Sequence, residues 1–316
     1  MSYQIALSHA GSPAAEAILE LLPESGLSPD SLVLLDTADR VGNRIAFAGQ
    51  HRALQDQDNF DLTECQVLLM PEVDPDLQQR ALEQGCLLVS HAIDTDTESL
   101  AVGPGLPEPV ISYSAVQLRL ADAELSCLLP VLHALSDLAT IERLGVVSLR
   151  SAEFRGSAGI EELASQTIAL LNSREASPVV YPRQIAFNAI PESLPTRQIA
   201  DFQQHLGNSS CSIDLQTVNV PLFHGFAAAL QLAFSEPVDE KRAKELLGSM
   251  DDVSVSDSVV TPITDCHESF ACAISHVQQV PEQPSNLQFW LVTDPMRYGL
   301  AKNYVNVLDF LLKSFL

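Results

Sequence analysis

Basic residues are scarce in this chain: 17 Lys and Arg stand against 41 Asp and Glu, a net charge of −24. So acidic a surface repels phosphate backbones and argues against nucleic acid as a partner. The acids are spread along the chain rather than run together, which reads as a solvated surface and not as an interaction tail. No apolar run approaches the roughly 18 residues that a membrane-spanning helix needs, so no membrane partner is expected. The first residues, MSYQIALSHAG, lack both a basic and an apolar stretch. No secretory signal is expected, and the cytoplasm is the expected compartment. The six cysteines, at 65, 86, 127, 211, 266 and 272, include no CxxC pair. That excludes zinc-ribbon and thioredoxin chemistry and leaves free thiols. No HExxH occurs; His267 and His276 lie near Cys266 and Cys272, but in no standard ligand spacing, so no metal site is expected.

What is present fits two domains, since 316 residues exceed the size of one small core. Tyr3 to Leu7 reads as a short buried strand, followed by a polar turn, Ser8-His9-Ala10-Gly11-Ser12-Pro13. Ala14 to Leu22 has helical spacing, with Ser12 as N-cap and Pro13 as first helical residue. Strands at Leu32 to Leu35, Val67 to Met70 and Cys86 to Val89, with a helix from about Asp76 to Gln84, continue the alternation. Such alternation predicts a doubly wound parallel sheet, whose ligands sit beyond the carboxyl ends of the strands. Asp94 to Pro109 reads as a long loop.

From Ala121 the pattern changes. Leu125 to Leu138 predicts a buried helix, Arg143 to Leu149 a strand, Gly159 to Leu171 an amphipathic helix, and Arg183 to Pro191 an extended segment. A polar helix over Pro195 to Leu206 precedes strand-like runs at Ser212 to Leu222, Ala227 to Phe234, Phe270 to Val277 and Leu287 to Thr293. These predict an α+β domain with a mixed or antiparallel sheet. Tyr298 to Leu316 predicts an apolar helix that can return to the first domain.

Three segments carry a family resemblance. Ile160-Glu161-Glu162-Leu163 with Gln166-Thr167, the run Gln184-Ile185-Ala186-Phe187-Asn188-Ala189-Ile190-Pro191, and LQFWLVTDPMRYGLAKN from Leu287 to Asn303 resemble the EEL-x-x-QT helix, the QIAFNxIP segment and the last-helix segment of the aspartate-semialdehyde dehydrogenase family, of the USG-1 type. The resemblance spans essentially the whole chain. It implies a Rossmann-type domain over 1–122 plus 297–316, a catalytic and dimerisation domain over 123–296, and a homodimer through the second domain. The alternation of Val218, Val220 and Leu222 is compatible with a paired sheet face and equally with an intramolecular core.

The resemblance also implies where the chemistry belongs. A semialdehyde dehydrogenase needs a nucleophilic thiolate, a base, an Arg that grips the substrate carboxylate and a Gly-rich phosphate turn. Counting along the family pattern, the nucleophile position is Ala123, preceded by Asp122. The substrate-Arg position is Asn219 and the base position is Phe226. The family's substrate-contacting Gln falls on Arg150, its next Gly-rich turn on Glu153-Phe154-Arg155-Gly156, and the acid and Lys of its polar helix near Asp201 and Gln204. No catalytic residue is intact. Two substitutes are conceivable. Cys127 lies four residues beyond Ala123, about 6 Å along a helix axis, and is otherwise a small buried residue. His224 lies two residues before Phe226 and would share its side of a strand; otherwise it is an ordinary half-buried histidine.

On the cofactor side the family's GATGAVG turn becomes Ser8 to Ala14, where Gly11 alone remains and Ser8 and Ala14 hinder the phosphate approach. Asp39 replaces the Arg that grips the adenosine 2′-phosphate, Met70-Pro71-Glu72-Val73 replaces a second turn, and Asp96 a further Arg. No cofactor is expected; by resemblance alone weak NAD(P) binding stays open. Four readings follow: a dimeric pseudoenzyme that acts by binding, by resemblance an oxidoreductase acting on an aldehyde or oxo group with NAD(P), an enzyme with new chemistry at Cys127 or His224, and a metabolite sensor using the remnant cleft.

Overall fold

The computed structural model describes residues 4–91, 99–103, 106, 117–193 and 196–314. The chain forms two compact units, Met1–Ser126 with Gly299–Leu316, and Cys127–Tyr298.

The strands of the first unit are β1 (Ile5–Leu7), β2 (Leu32–Asp36), β3 (Arg44–Phe47), β4 (Gln50–Ala53), β5 (Gln55–Asp56), β6 (Val67–Leu69), β7 (Leu87–Ser90), β8 (Leu100–Val102) and β9 (Gln117–Leu120). Seven form one parallel sheet in the order β5-β2-β1-β6-β7-β9-β8, while β3 and β4 make a separate hairpin. The inner strands are continuous apolar runs because both faces are covered. Helices α1 (Pro13–Leu21) and α2 (Pro75–Glu83) begin at side-chain caps: Ser12 Oγ accepts the Ala15 amide at 3.2 Å and Asp74 Oδ1 that of Leu77 at 3.0 Å. Each has proline in its first turn, where the missing amide is not needed. Leu77 and Ala81 of α2 pack on Ala6, Leu35, Leu68 and Leu88 of the sheet.

Helix α3 (Ala123–Ser136) leads into the second unit. There follow β10 (Ile141–Arg150), α4 (Gly156–Leu171), β11 (Ile190–Glu192), α5 (Thr196–His205), β12 (Ser212–Asn219), β13 (Phe226–Phe234), α6 (Glu240–Gly248), β14 (Val253–Ser256), α7 (Pro262–Asp265), β15 (Cys272–Val280) and β16 (Gln283–Thr293). The sheet is mixed, in the order β11-β12-β10-β13-β16-β15-β14, with β10 parallel to β12 and antiparallel to β13. A π-helical stretch, Pro295–Ala301, then gives way to α8 (Lys302–Ser314), which belongs to the first unit. The Tyr304 hydroxyl donates to the Met70 carbonyl at 2.8 Å and accepts the His91 amide, and Asn303 donates to Ser126 Oγ at 2.6 Å. The parallel sheet, the α+β unit and the returning helix are the architecture that the sequence predicts.

The two motifs on α4 and in the segment after it are joined by hydrogen bonds. The buried Glu162 carboxylate accepts the amides of Val179 and Val180 and the side-chain amide of Gln166. Gln166 Oε1 in turn accepts the amides of Ile185 and Ala186, at 2.8 and 3.2 Å. Two side chains one helical turn apart thereby satisfy five backbone donors, the Tyr181 amide to Glu162 at 3.5 Å included, of a segment with no ladder of its own.

Several expectations need correction. Arg183 to Pro191 is not extended throughout: only Ile190–Glu192 is a strand, and Phe187 at φ +58° turns the chain before it. The run from Ser212 stops at Asn219, short of Leu222, since Pro221 lacks the donor that a ladder requires. Within the expected loop from Asp94 to Pro109, Leu100–Val102 is a strand paired with β9; residues 94–98, 104–105 and 107–109, Asp96 among them, lie outside the described residues. The last helix is not uniform, because its first turns are π-helical. Among the described residues no helix is long and apolar enough to cross a membrane.

Candidate functional site

In the second unit one row of residues crosses the sheet. Arg150, at the end of β10, is in register with Asn219 of β12 on one side and with Phe226 of β13 on the other. The row continues to Thr293 of β16 and Cys272 of β15. Residues in register present their side chains on one face, so the three positions derived from the family pattern come together.

Their chemistry is not that of a proton-transfer site. Phe226 is fully buried and packs on Phe154, ring centroids 5.8 Å apart. The Arg150 guanidinium covers the other ring, 5.4 Å from the Phe154 centroid. An aromatic pair under a cation is a packing arrangement. Asn219 is buried and donates its side-chain amide to Glu192 Oε2 at 3.0 Å. The same carboxylate accepts Arg155 Nη2 at 2.6 Å and lies 3.7 Å from Arg150 Nη1. Sequence reasoning missed Glu192. Its only signal is an acid directly after the QIAFNAIP run.

Beside this row lies a second group. Glu153, buried, accepts the Gly225 amide and the Ser151 hydroxyl, the latter at 3.1 Å. His224 Nδ1 donates to Glu153 Oε2 at 3.3 Å. This bond, ahead of the charges of Glu153, Asp294 and Glu268, holds the His224 imidazole above its ordinary pKa. The His267 ring stacks on it at 5.4 Å. Asp294 accepts the amides of Met296 and Arg297, both at 3.0 Å, and that of Glu268 at 3.2 Å. Burial, reinforced by the like charge of Glu153, pushes its carboxyl up. His224 therefore does not lie on the strand with Phe226 as expected. Gly225, at φ +91°, turns the backbone between them, and the two-residue alternation stops there.

The thiol Cys127 is fully buried on α3. Burial pushes the Tyr298 hydroxyl up, and the thiols of Cys272 and Cys127 add to this, whereas His224 is held by its bond to Glu153, with Asp294 and Glu268 adding to it. In the first unit Ala123 opens α3, and Asp122 caps it by accepting the Leu125 amide at 2.8 Å. The carboxylate before the methyl group is thus engaged in a structural bond. Among the described residues no group of three or more His, Cys, Asp or Glu could hold a metal ion.

Also in the first unit, the turn after β1 is closed by the chain's own side chains. The Gly11 amide donates to Asp36 Oδ2 at 2.8 Å, and its carbonyl accepts Arg40 Nη1 at 2.8 Å. Space that a Cβ on Gly11 would take is filled by the Arg40 guanidinium, 1.8 Å from that point. Asp39 is exposed on the turn Ala38–Arg40. Ser8 and Ala14 are buried. His9 lies 3.2 Å from the Gln57 side-chain amide and 3.6 Å from Asp74, and burial raises Glu72 above the usual carboxylate range. A dinucleotide pyrophosphate needs free backbone amides at this turn and little negative charge around it. Here the amide is engaged by a carboxylate, and two further acids stand nearby. These residues do not fit the phosphates of NAD(P).

A sequence profile described as semialdehyde dehydrogenase, dimerisation domain, matches residues 132–298. The chain belongs to the semialdehyde dehydrogenase family. Within it the chain is similar to aspartate-semialdehyde dehydrogenase 2 of Vibrio cholerae, at 25% identity over 99% of this chain and 98% of that protein. The USG-1 protein homolog of Pseudomonas aeruginosa is 27% identical, over 99% of this chain and 98% of its own length. A solved probable aspartate-semialdehyde dehydrogenase from Pseudomonas aeruginosa shares the fold, with a TM-score of 0.88 and 24% identity over the full length of both chains.

Proposed function

We propose that this family member is a homodimeric pseudoenzyme that acts by binding and does not turn over a semialdehyde. The observation that carries the reading is the row Asn219–Arg150–Phe226. The positions that the family pattern assigns to the substrate Arg and the base hold an amide bonded to an internal carboxylate and a buried phenyl ring. At the nucleophile position Ala123 offers a methyl group. Catalytic members act as a unit, and the loss of any one removes orders of magnitude in rate. Purified protein assayed with aspartate semialdehyde, phosphate and NADP tests this. Turnover within about a hundredfold of the Vibrio cholerae enzyme ends the reading.

The dimer rests on the family's dimerisation domain and on the outer face of the second sheet. An open groove of about 570 Å³ runs there over Gly145, Val147, Gln216, Ala229, Gln231 and Gln288. Small residues and glutamines let two copies of such a face approach closely.

A second reading keeps His224 as a base for another reaction, because Glu153 orients and charges it. It requires a turnover on some aldehyde or ester substrate that His224→Gln removes. A broad substrate panel with no turnover ends it.

A further inference from the structure

Cations are placed unevenly in the first unit. Residues 1–39 and 56–79 carry acids and neither Lys nor Arg, while 40–55 carry Arg40, Arg44 and Arg52 and no acid. This basic stretch is the hairpin of β3 and β4 with the turn that leads into it. Two of its cations are tied to the body of the unit. Arg40 donates to the Gly11 carbonyl at 2.8 Å, and Arg52 to the Asp30 carboxylate at 2.6 Å. Arg44 is exposed and meets no acid among the described residues.

Strand pairing fixes what each side of the hairpin carries. Ile45 is in register with Arg52 and Phe47 with Gln50, and Phe47 is buried, so this side faces the unit. Arg44 with Ala53, and Ala46 with His51, make the other side, and all four are exposed. That outer side is cationic at Arg44, small at Ala46 and Ala53, and free of acid.

Its edge is open as well. Among the described residues β3 pairs with β4 alone. The Asn43 carbonyl accepts the Leu54 amide at 2.8 Å, which makes Asn43 a hydrogen-bonded position. Bonded positions alternate along an antiparallel strand, so Arg44 and Ala46 direct their N–H and C=O away from β4. A strand with such unpaired groups is a template for a further strand unless proline, a bulge or a charge guards it. Residues 43–54 hold no proline, and the pairing of β3 with β4 runs without a shift. The one guard is Arg44, which turns cations away and matches a carboxylate.

We propose that β3 takes an extended acidic segment of another protein as a third strand. The segment's backbone bonds Arg44 and Ala46, and one of its carboxylates meets the Arg44 guanidinium. Its next side chain on that face, two residues along, lies over Ala46, where a small neighbour leaves room. A third strand also completes a sheet that two strands leave marginal. The net charge of −24 repels an acidic partner at a distance. Screening beyond about 8 Å at physiological salt leaves the local charge to decide at contact. The surface involves none of the residues of the row Asn219–Arg150–Phe226, so it stands whether or not the chain turns over a semialdehyde.

The probe is a fluorescein-labelled peptide of four glutamates alternating with threonines, and a glutamine–threonine peptide is the control. Fluorescence anisotropy should show saturable binding of the glutamate peptide below about 1 mM, and binding of the control at least about tenfold weaker. Arg44→Glu reverses the charge of an exposed side chain and should weaken binding by at least about tenfold. Ala46→Pro removes an N–H that faces away from β4, a change that an edge strand tolerates, and should abolish binding. A glutamate peptide N-methylated at every residue makes the same test without altering the protein, because its charge stays and its backbone donors are lost. Absence of saturable binding at 1 mM overturns the proposal, as does binding that Arg44→Glu or N-methylation leaves unchanged. Self-association of the protein that Arg44→Glu abolishes also overturns it, because the edge then belongs to a second copy.

Discussion

The backbone amide of Gly11 donates to the carboxylate of Asp36 at 2.8 Å. In a dinucleotide-binding turn that amide would face a phosphate. Here an anion of the protein already holds it, and Arg40 fills the remaining space. Calorimetry with NAD and NADP at about 1 mM is expected to show no saturable heat. NADP is the poorer ligand, because by the resemblance exposed Asp39 stands where an Arg would grip the 2′-phosphate, and like charges repel. Tight binding of either nucleotide sinks the closed-turn account.

Glu153 and His224 give a pH dependence whose sign can be worked out. The carboxylate raises the folded pKa of His224 above its ordinary value of 6.5. The pair therefore contributes stability in full below pH about 6.5, and the contribution is lost as pH rises through the folded value. His224 is 40% exposed, so solvent screens the effect and the stability change is small. The sensitive readout is an NMR titration of the imidazole. Glu153→Gln is expected to return the His224 pKa toward 6.5, against the charges of Asp294 and Glu268 that remain. An unchanged titration curve contradicts the assignment.

The helix caps and buried strands were legible in the sequence because their signals are local. Ser12 and Pro13 start α1 as the sequence predicts, and the apolar runs at 5–7, 32–35 and 67–69 are strands. Less local structure was not. The hairpin β3–β4 is largely exposed, with Ile45 and Phe47 the only apolar residues turned inward over two four-residue strands, and α6 is polar with its Asp239 cap as the clearest signal. The Glu192 site depends on partners 27 and 37 residues away, which no spacing rule reaches. His224 was placed on a strand because the two-residue period was carried through Gly225, whose positive φ breaks it.

Two glycines separate steric from conformational cost. Gly225 sits at φ +91°, and a Cβ there would lie 2.6 Å from the Pro262 Cβ. Neither the backbone angle nor the proline ring can give way cheaply, so Gly225→Ala should destabilise by about 1–3 kcal/mol. It should also loosen the Glu153 contact to His224. Gly11→Ala meets the end of the half-exposed Arg40 side chain, which can swing into solvent, and the Asp36 Oδ2 oxygen at 3.0 Å, which must give by a few tenths of an ångström. That change should stay under about 1 kcal/mol. Urea unfolding of the two variants orders them; a Gly11→Ala loss larger than that of Gly225→Ala refutes the argument.

Val147 tests the dimer. It lies on β10, an interior strand of the second sheet, yet 40% of its surface is exposed. An interior strand normally has neighbours above both its faces, so exposure there is the mark of a face that a second copy covers. Symmetry places Val147 of one copy near the equivalent patch of the other, and Val147→Glu then puts two charges into one interface. Light scattering on wild type should give twice the chain mass, and on Val147→Glu the mass of one chain. Because Val147 is exposed within the single chain, the substitution should alter its intrinsic stability by no more than about 0.5 kcal/mol. Dissociation without unfolding, read by circular dichroism, is therefore the expected pattern. A wild-type protein that is monomeric at every concentration, or a variant that stays dimeric, removes this face from the assembly.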